Sequence, residues 1–471
     1  MKRMAMVFLM TVFMTSAVVS QETHKLVGAP DIVPPATAAM QHPEFWINRI
    51  QGDPDRVIMT NDQIEALNAK NATRPLTRKD INGATVMIDS VVTGGTFGNI
   101  RFHIDDPLEM RALSGDVVRA LIGNVSKSLL ETEYYDRRRI VYPDQRKQEI
   151  IDSMQEGAVP EVITPRHGIT VRHTRVRVVP THDRLYRGQN QWLDMMQSAV
   201  LEAGQPVAIL YETKARDWLL VRGEYTTGWI PAENAATGQP REIRRFVSAD
   251  DFVVATNHKV PVYADIARLT HLTDIYLGAR LPLRKATGSG YNVLVPVRRT
   301  DGTFEAVPGW IAPDAEVSVG YQPYTQRNAI TTFFRLLNRP YGWGGTENER
   351  DCVGTIRAVM RTFGINTPRW TVFQLYHTDH VTTFPRDLPK EEKYRLLSRC
   401  EPGITVCGFD WHVVLYLGQA DGNHYVIHQN GFSYHGDDGT EYRVGRVSVN
   451  TTELEGGADI NRWTELSVFK P

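Results

Sequence analysis

The middle third of the chain consists of short segments in which apolar and polar residues alternate, separated by turn residues. Alternation with a period of two is typical of β-strands that have one buried face. The series occurs twice, and each copy contains a Gly-Trp-Ile element before a short acidic turn, in "TTGWIPAENA" and "VPGWIAPDAE". Several short strands at this spacing favour a small barrel or sandwich, so the sequence predicts two tandem β-barrels at 166–245 and 246–322.

Two regions of different character flank these barrels. The chain has 471 residues, which is enough for several domains of ordinary size. Residues 21–165 carry apolar side chains at helical spacing and no cluster of catalytic side chains, so we expect a mixed, mostly helical N-terminal domain that stabilises the rest. Residues 323–471 begin with amphipathic helices and continue with strands, which is an α+β order. The predicted fold class is therefore a multidomain chain of four units.

The first 20 residues have the pattern of a secretory signal peptide. Lys2 and Arg3 precede an apolar stretch, and small residues before Gln21 fit a cleavage site. The stretch is shorter than the ~20 residues that span a bilayer, so we expect residues 1–20 to be removed by cleavage before Gln21. The mature protein should then be periplasmic or secreted, without stable membrane insertion. The formal net charge of -1 gives no electrostatic reason to expect a nucleic-acid partner.

The chain contains three cysteines, and one of them has no obvious partner. Cys400 and Cys407 bracket a Pro-Gly turn in "SRCEPGITVCGF", where a disulfide across a short hairpin is an open possibility. Cys352 is then left alone, and an isolated cysteine is usually a buried structural thiol. Its context in "ERDCVGTIRAVMRTFG" favours another role, because a thiol in the first turn of a helix has its pKa lowered by the helix dipole.

Two histidines are suitable partners for this thiol. His412 heads the apolar strand "HVVLYLG" and His428 ends the following strand "YVIH". If the two strands form an antiparallel hairpin, both imidazoles lie at the same edge of the sheet, where one can act as a base and the other can orient it. A zinc site built from these histidines with Cys400 and Cys407 is the competing chemistry, but the spacings do not match those of structural zinc sites. We therefore expect no metal and no cofactor.

The same residues resemble a known family. The stretch "RPYGWGGTENERDC" before a helix, followed by "HVVLYLG" and "YVIH", is similar to the NlpC-type cell-wall peptidases, which are papain-like cysteine peptidases of bacteria. The two β-rich segments resemble the bacterial SH3-like domains that precede this catalytic domain in one subgroup, and "PEFWINRI" with "DPDRVIMT" resembles its N-terminal segment. The resemblance covers nearly the whole mature chain and implies a papain-like fold for 323–471.

The resemblance also implies a reaction and residue roles. Members of the subgroup hydrolyse peptidoglycan stem peptides at the bond between D-γ-glutamate and a diamino acid such as meso-diaminopimelate. Carried over position by position, Cys352 is the nucleophile, His412 the general base and His428 the orienting residue. Tyr341 then lies near the developing oxyanion, whose stabilisation is usually a large part of acyl-transfer catalysis. The implied partners are peptidoglycan-derived peptides, and we expect a monomer.

Four further residues are carried over to the substrate side of the site. In the subgroup, an acid beside the nucleophile and a tyrosine of the adjoining barrel recognise the free amine of an N-terminal L-Ala. Asp351 matches the acid, and it is also a suitable helix N-cap. Tyr225 matches the barrel tyrosine, and Trp343 belongs to the same Tyr-Gly-Trp-Gly-Gly element as Tyr341. Val353 departs from the family, which has serine after the cysteine, so specificity is expected to differ more than reaction type.

Two other functions are compatible with these residues. A wall-binding protein would use the barrels to hold peptidoglycan and keep the C-terminal fold as a scaffold, although an intact trio of Cys352, His412 and His428 weighs against this reading. An amidase or acyltransferase would use the same thioacyl intermediate and a different acceptor. The sequence does not separate these reactions, nor does it decide between intact wall and soluble fragments as substrate.

Overall fold

The computed structural model describes residues 27–73, 77–79, 85–87, 106–188, 192–409 and 411–471. The predicted signal segment, 1–20, lies outside the described residues. Within these ranges no helix is both long enough and apolar enough to cross a membrane.

The N-terminal part contains short strands and longer helices. Its elements in chain order are β1 (Val27–Gly28), α1 (Pro43–Ile47), α2 (Asn61–Thr73), β2 (Thr77–Lys79), β3 (Thr85–Met87), β4 (Leu113–Ser114), α3 (Gly115–Glu131), α4 (Asp144–Met154) and β5 (Val162–Ile163).

The N-terminal part contributes to two different hydrophobic cores. Residues 27–73 add Trp46, Ile47 and Met59 to the core of the C-terminal domain, where the Trp46 ring lies 5.3 Å from that of Tyr425. The helices α3 and α4 instead pack on the first barrel, and their apolar side chains share a core with Trp229. Residues 21–165 were predicted to form one domain. Instead, residues 27–73 pack on the C-terminal domain, and helices α3 and α4 pack on the first barrel.

Two seven-stranded sheets follow, joined by helix α5 (Pro240–Val247). The first contains β6 (Arg166–Thr170), β7 (Thr174–Arg177), β8 (Gln197–Leu201), β9 (Pro206–Glu212), β10 (Trp218–Arg222), β11 (Thr227–Pro231) and β12 (Ala235–Thr237). The second contains β13 (Phe252–Ala255), β14 (Lys259–Tyr263), β15 (His271–Tyr276), β16 (Arg280–Thr287), β17 (Gly290–Arg298), β18 (Phe304–Ile311) and β19 (Val317–Val319).

Both sheets have the same topology. The first has the strand order β12-β6-β9-β10-β11-β7-β8, and the second, read from the other edge, has β19-β13-β16-β17-β18-β14-β15. The repeated Gly-Trp-Ile element lies at the same place in both, since Trp229 is paired with Arg177 across β11 and β7, and Trp310 with Tyr263 across β18 and β14. The short repeat in the sequence therefore marks one architecture used twice.

The C-terminal part has an α+β composition, as predicted. Its elements are α6 (Gln326–Phe334), α7 (Cys352–Arg361), α8 (Thr371–Leu375), β20 (Val381–Thr383), α9 (Lys390–Leu397), β21 (Thr405–Phe409), β22 (His412–Ala420), β23 (Asn423–Asn430), β24 (Ser433–His435), β25 (Glu441–Arg443), β26 (Arg446–Thr451) and β27 (Glu465–Val468).

The central sheet of this part is antiparallel, with the strand order β20-β27-β21-β22-β23-β26. Helix α7 packs on β22 and β23 through side chains such as Ile356, Val359 and Leu415, which share one core. The stretch "YRVGRVSVN" forms two strands, because Gly445 has a φ of 62° and turns the chain between β25 and β26. Its carbonyl oxygen accepts a hydrogen bond from the Tyr341 N–H at 2.8 Å.

Candidate active site

Cys352 is the first residue of α7, and its local sequence explains why the helix begins there. The Asp351 Oδ1 atom accepts a hydrogen bond from the Gly354 N–H at 2.8 Å and caps the helix. Val353, Ile356 and Met360 are buried in the core on which the helix rests. The cap and the buried face together fix the thiol at the end of the helix that carries unsatisfied N–H groups.

The structure brings His412 and His428 together at one edge of the hairpin formed by β22 and β23. Leu415 lies opposite Ile427 in this antiparallel pair, so the register directs both histidine side chains to the same face of the sheet. The His412 Nε2 atom lies 2.6 Å from His428 Nδ1, and both rings are buried. One proton is shared across this contact, so one of the two nitrogens donates and the other accepts.

A third strand extends the pair. Asn450 on β26 places its Oδ1 atom 2.9 Å from His428 Nε2, 2.6 Å from the Ser448 hydroxyl oxygen and 3.3 Å from Asn430 Nδ2. The Asn430 amide is itself oriented by a backbone group, since its Oδ1 accepts from the Phe432 N–H at 2.9 Å. Asn430 Nδ2 is therefore a donor, and the Asn450 atom that faces it is the acceptor oxygen.

These contacts fix the protonation of both histidines. Because Asn450 Oδ1 is an acceptor, His428 Nε2 carries the proton and donates to it, which leaves His428 Nδ1 as an acceptor. His412 Nε2–H then donates to His428, so His412 Nδ1 has a free lone pair. Burial lowers the pKa of His428 to about 4 and that of His412 well below its ordinary value, so both rings are neutral near pH 7.

The thiol faces the start of the same strand. A hydrogen bond from the Val413 N–H stabilises the Cys352 thiolate, which places the sulfur beside the residue that follows His412. No hydrogen bond joins Cys352 Sγ to the His412 ring, although both residues belong to the described part. Catalytic contacts of this kind often form only when substrate is bound.

The helix dipole was expected to lower the pKa of Cys352, and this expectation is wrong for the structure. Burial, followed by the negative charge of Asp351, raises the pKa of Cys352 to about 12. The Arg369 charge and the N–H donors of Val413 and Val353 act in the opposite direction but do not compensate. Desolvation outweighs the dipole because the sulfur is only 6% exposed, so the resting group is a neutral thiol.

The Tyr341 ring lies against two other parts of the chain. A Cβ added to Gly431 would come within 2.9 Å of the Tyr341 ring, and the ring of Trp192, from the first barrel, meets it edge-on at 5.2 Å between centroids. Burial and the nearby Cys352 charge raise the pKa of Tyr341 well above its ordinary value, so its hydroxyl keeps its proton. A protonated phenol beside the nucleophile is a suitable donor to an oxyanion.

Asp351 has two further partners in addition to its helix cap. Its Oδ2 atom accepts from the Gly344 N–H at 2.9 Å and forms an ion pair with Arg369, which also donates to the Ser198 carbonyl oxygen at 3.3 Å. The carboxylate is 4% exposed and has three donors for its roughly four lone-pair positions. Asp351 therefore connects the start of α7 to strand β8 of the first barrel.

The glycine loop before the nucleophile also rests on this barrel. Gly344 and Gly345 have φ angles of 60° and 93°, and a Cβ at Gly345 would lie 2.1 Å from the Val200 side chain. The Gln197 side-chain amide donates to the Gly344 carbonyl oxygen at 2.8 Å. Trp343, at the start of this loop, is half-buried. The close approach to β8 is possible only without side chains at these two positions.

Tyr225 and Val353 are both buried, and both contact or belong to helix α7. Tyr225 is buried, with its hydroxyl donating to the Val200 carbonyl oxygen and its ring centroid 3.5 Å from the guanidinium carbon of Arg357 on α7. The Val353 side chain packs in the core below the helix. Both residues thus contact elements that hold the nucleophile in place.

The other two cysteines are separate from this site. Cys400 and Cys407 are free thiols, so the disulfide left open by the sequence is not formed. Cys407 and partly buried Cys400 belong to a core on the other side of the sheet from Cys352. Within the described ranges no group of three or more histidine, cysteine or acidic side chains is arranged to hold a metal ion.

Asn450, Ser448 and Arg369 were not predicted from the sequence. Ser448 and Asn450 alternate with valines in "RVSVNT", which indicates a polar face, but their use depends on β26 lying next to the histidine strand. Arg369 is in a loop that carries no periodic pattern, and only the tertiary fold brings it to Asp351. Trp192, beside Tyr341, was also missed for this reason.

Comparison with solved structures shows a shared fold. An NlpC/P60 endopeptidase from Photobacterium damselae subsp. piscicida aligns over 94% of this chain and 99% of its own, with a TM-score of 0.71 and 17% sequence identity. An NlpC/P60 family protein from Bacillus cereus ATCC 10987 aligns over 65% of this chain and 100% of its own, with a TM-score of 0.47 and 17% identity. The SH3 domain family of the SH3b1 type matches residues 185–231, within the first barrel. The curated proteins give no match.

Proposed function

We propose that this protein is a cysteine endopeptidase that hydrolyses peptidoglycan stem peptides at the bond between D-γ-glutamate and a diamino acid such as meso-diaminopimelate. The observation that carries the proposal is the relay of His412, His428 and Asn450, which leaves a basic nitrogen free beside the strand start that faces Cys352. The fold shared with an NlpC/P60 endopeptidase and the SH3 match support a cell-wall substrate.

The first step begins from a neutral thiol. Since burial raises the pKa of Cys352 to about 12, proton transfer from Sγ to His412 Nδ1 accompanies the attack on the scissile carbonyl carbon. As the S–C bond forms, the carbonyl electron pair moves onto the oxygen, and the Tyr341 hydroxyl donates a hydrogen bond to it. The imidazolium formed at His412 is stabilised through its Nε2–H contact with His428.

Three further proton transfers complete the reaction. His412 returns its proton to the leaving nitrogen as the C–N bond breaks, which releases the diamino acid portion and leaves a thioester on Cys352. A water molecule then loses a proton to His412 and attacks the thioester carbon. The C–S bond breaks as the acid product departs, and Sγ recovers the proton from His412.

The finer specificity is part of the same proposal. We infer that substrates carry a free N-terminal L-Ala, whose amine binds beside Asp351 at the junction with β8. The support is the position of Asp351, which caps the helix that begins at Cys352 and, through Arg369, contacts the first barrel. Because the barrel adjoins the site, we infer that small soluble peptides are favoured as substrates. We also infer that the second sheet is an SH3-like barrel, because its strand order repeats that of the first.

Export is a further part of the proposal. Lys2, Arg3 and the apolar stretch that follows support a cleaved signal and a periplasmic or secreted location, where peptidoglycan is accessible. N-terminal sequencing of the protein recovered from culture medium and periplasm would test it. A mature protein that begins at Met1 in the cytoplasm would contradict it.

The decisive experiment uses the defined peptide L-Ala-γ-D-Glu-meso-diaminopimelate and mass spectrometry of its products. We expect the wild-type protein to release L-Ala-D-Glu and diaminopimelate, and Cys352→Ala to lose at least about 10³-fold in rate. Cys400→Ala is the matched control, because it removes a thiol outside the site and should keep full activity. Full hydrolysis by Cys352→Ala would contradict the nucleophile assignment.

The product pattern also separates the two other functions. Binding to insoluble wall without release of any peptide would favour a wall-binding protein. A product in which the L-Ala-D-Glu acyl group is joined to an added amine would favour an acyltransferase. Incorporation of one oxygen from ¹⁸O-labelled water into L-Ala-D-Glu is the result expected for hydrolysis.

A further inference from the structure

A buried lysine that takes no part in the mechanism is surrounded by backbone carbonyl groups. Lys393, on helix α9, is 1% exposed. Its Nζ atom donates to four carbonyl oxygens, those of Arg386 at 2.7 Å, Asn461 at 3.0 Å, Ile460 at 3.1 Å and Trp463 at 3.3 Å. An ammonium group has three N–H donors, so these four acceptors engage all of them.

These four oxygens, which we call the carbonyl cage, have the chemistry of a cation site. Proteins bind cations with backbone carbonyl oxygens that replace the hydration shell of the ion. Three of the four oxygens belong to residues 460–463, and the fourth belongs to residue 386, in the segment before α9. The Lys393 ammonium thus lies where such a site would hold an ion, and it joins two segments to α9.

The loop that the carbonyl cage shapes is residues 452–464, which connect β26 to β27. The Ile460 N–H donates to the Thr452 carbonyl oxygen at 3.0 Å, and the side chains of Ala458, Ile460 and Trp463 are buried. The carbonyl groups that converge on Nζ would repel one another and lose their hydrogen bonds without a cation between them. The path of the loop backbone therefore depends on the ammonium.

The same loop contacts the proposed general base. Gly457, three residues before Ile460, lies against one edge of the His412 ring, since a Cβ added to it would come within 2.6 Å of Cδ2 and 2.7 Å of Nε2. At this edge His412 Nε2 lies 2.6 Å from His428 Nδ1. A displacement of the loop would let the imidazole turn or would press on it, and either movement redirects Nδ1.

We propose that the Lys393 ammonium holds the loop 452–464 against His412 and thereby positions the general base, as a bound structural cation would. This inference rests on the proposed function. Lys393 acts through the loop and takes part in no proton transfer, so it is a positioning residue. It gives helix α9, to which the sequence pattern assigned no role, a part in catalysis.

The test removes the ammonium and then supplies it again. In Lys393→Ala, kcat on L-Ala-γ-D-Glu-meso-diaminopimelate should fall about 10- to 100-fold with little change in KM, because the base is displaced. n-Propylammonium contains the three carbon atoms and the ammonium that this variant lacks, and it should restore part of kcat. Tetramethylammonium at the same concentration has the charge but no N–H donor, and it should not.

Further variants separate the ammonium from the packing of the side chain. Lys393→Met keeps an unbranched apolar stem without the charge, so it should also lose kcat. Lys393→Gln retains two N–H donors and is used if the other changes prevent folding, which thermal unfolding checks. Lys127→Met, at an exposed lysine of α3, is the matched control and should behave as wild type.

A spectroscopic measurement makes the test independent of cleavage. The ¹⁵N chemical shifts of the two ring nitrogens of His412 report which of them carries the proton, and His412→Gln identifies their signals. In Lys393→Met these shifts should change, whereas those of the exposed His435 should not. n-Propylammonium should return the His412 shifts of Lys393→Ala toward those of wild type.

The outcomes distinguish this inference from the proposed function. If Lys393→Met has the kcat and the His412 shifts of wild type, even with lower thermal stability, the inference is wrong while the peptidase activity stands. If the two ammonium salts act alike on Lys393→Ala, the inference is also wrong. If wild type does not cleave the peptide, the proposed function fails, and the His412 shifts alone decide whether Lys393 positions the ring.

Discussion

Gly457 lies so close to His412 that a Cβ atom added to it would come within 2.6 Å of the imidazole Cδ2 and 2.7 Å of Nε2. The same ring is held at Nε2 by His428, and Phe432 meets it at a centroid distance of 4.9 Å. Three separate segments of the chain thus fix the orientation of one imidazole. The orientation of the free Nδ1 atom of His412 therefore depends on these three contacts as well as on strand β22, which carries the residue.

Gly457→Ala tests this arrangement. The added methyl group must displace the His412 ring, so we expect kcat/KM on the defined peptide to fall about 10²-fold with a smaller effect on thermal stability. Gly288→Ala is the matched control, because a Cβ there meets no atom within 4 Å and should leave activity unchanged. Gly431→Ala should also lower kcat, because the added methyl group would lie within 2.9 Å of the Tyr341 ring and displace it. Full activity in Gly457→Ala would show that the ring has room to move.

The Asn450 oxygen is expected to set the protonation of the histidine pair. Asn450→Leu removes the acceptor for His428 Nε2–H, so the relay loses its fixed direction, and kcat should fall about 10- to 100-fold with KM unchanged. Ser448→Ala removes one donor to Asn450 but keeps its oxygen, and it should cost less than about threefold. Similar losses in both variants would show a general packing effect.

Asn450→Asp should change the pH dependence of the reaction. A carboxylate next to His428 favours the protonated form, so it raises the pKa values of the coupled pair toward neutrality. In wild type the pair is neutral down to well below pH 6.5, and activity should therefore persist there as long as the protein is folded. The acid limb of kcat/KM should move to higher pH in the variant. A shift to lower pH would contradict the proposed protonation.

Buried histidines should make the fold sensitive to acid. The pKa values of His424 and His428 are about 4, below the 6.5 of an unfolded chain, so between these values the unfolded state binds more protons. The contribution of these two groups to stability is therefore constant above about pH 6.5 and falls as pH decreases toward 4, by about 3 kcal/mol for a fully buried group such as His428. Urea unfolding at pH 7.5 and pH 5 measures the loss.

His424→Gln provides the corresponding test outside the active site. The variant removes one of the buried titrating groups, so the difference in unfolding free energy between the two pH values should become smaller. His435→Gln is the control, because His435 is exposed and its pKa is raised by Glu455. The His435→Gln variant should lose as much unfolding free energy between pH 7.5 and pH 5 as wild type does, or slightly more. If the His424→Gln variant loses as much unfolding free energy as wild type does, His424 is not one of the groups that cause the acid sensitivity.

Amine recognition beside Asp351 predicts a preference between two substrates. The tripeptide with a free L-Ala amine should be cleaved at least about 10-fold faster than its acetylated form, because the acetyl group removes the charge. Asp351→Asn keeps the helix cap and loses the charge, so the preference should shrink even if overall activity falls. An equal preference in both proteins would show that Asp351 only holds Arg369.

The three cysteines predict a simple chemical result. Denatured protein that has not been reduced should contain three titratable thiols, since Cys400 and Cys407 are free in the structure. A count of one would show a disulfide between them. The Cys400→Ala variant should lower the count by one.

The sequence allowed the main parts of the site to be predicted, because they depend on local patterns. The position of Cys352 follows from an acidic cap and an apolar helix face, and the meeting of His412 with His428 follows from two adjacent strands in a hairpin. The strand order that the two seven-stranded sheets share was indicated by a short repeat with the same tryptophan in each copy. Each of these inferences depends only on patterns within short stretches of the sequence.

The parts of the site that were not predicted depend on contacts between segments that are distant in the sequence. Asn450 completes the relay only because β26 pairs with β23, and Arg369 reaches Asp351 from a loop without periodicity. The pKa of Cys352 was predicted in the wrong direction for a related reason. A helix end can be recognised from a few residues, whereas burial of its thiol depends on everything packed around it.

The neutral state of Cys352 has a consequence for chemical durability. Peroxide and similar oxidants attack thiolates, so a sulfur with a pKa of about 12 is oxidised slowly while the site is empty. In the proposed mechanism, the reactive form exists only during the step in which His412 accepts its proton. The nucleophile is thereby protected from sulfenic and sulfonic acid formation between turnovers, without a second cysteine to rescue it.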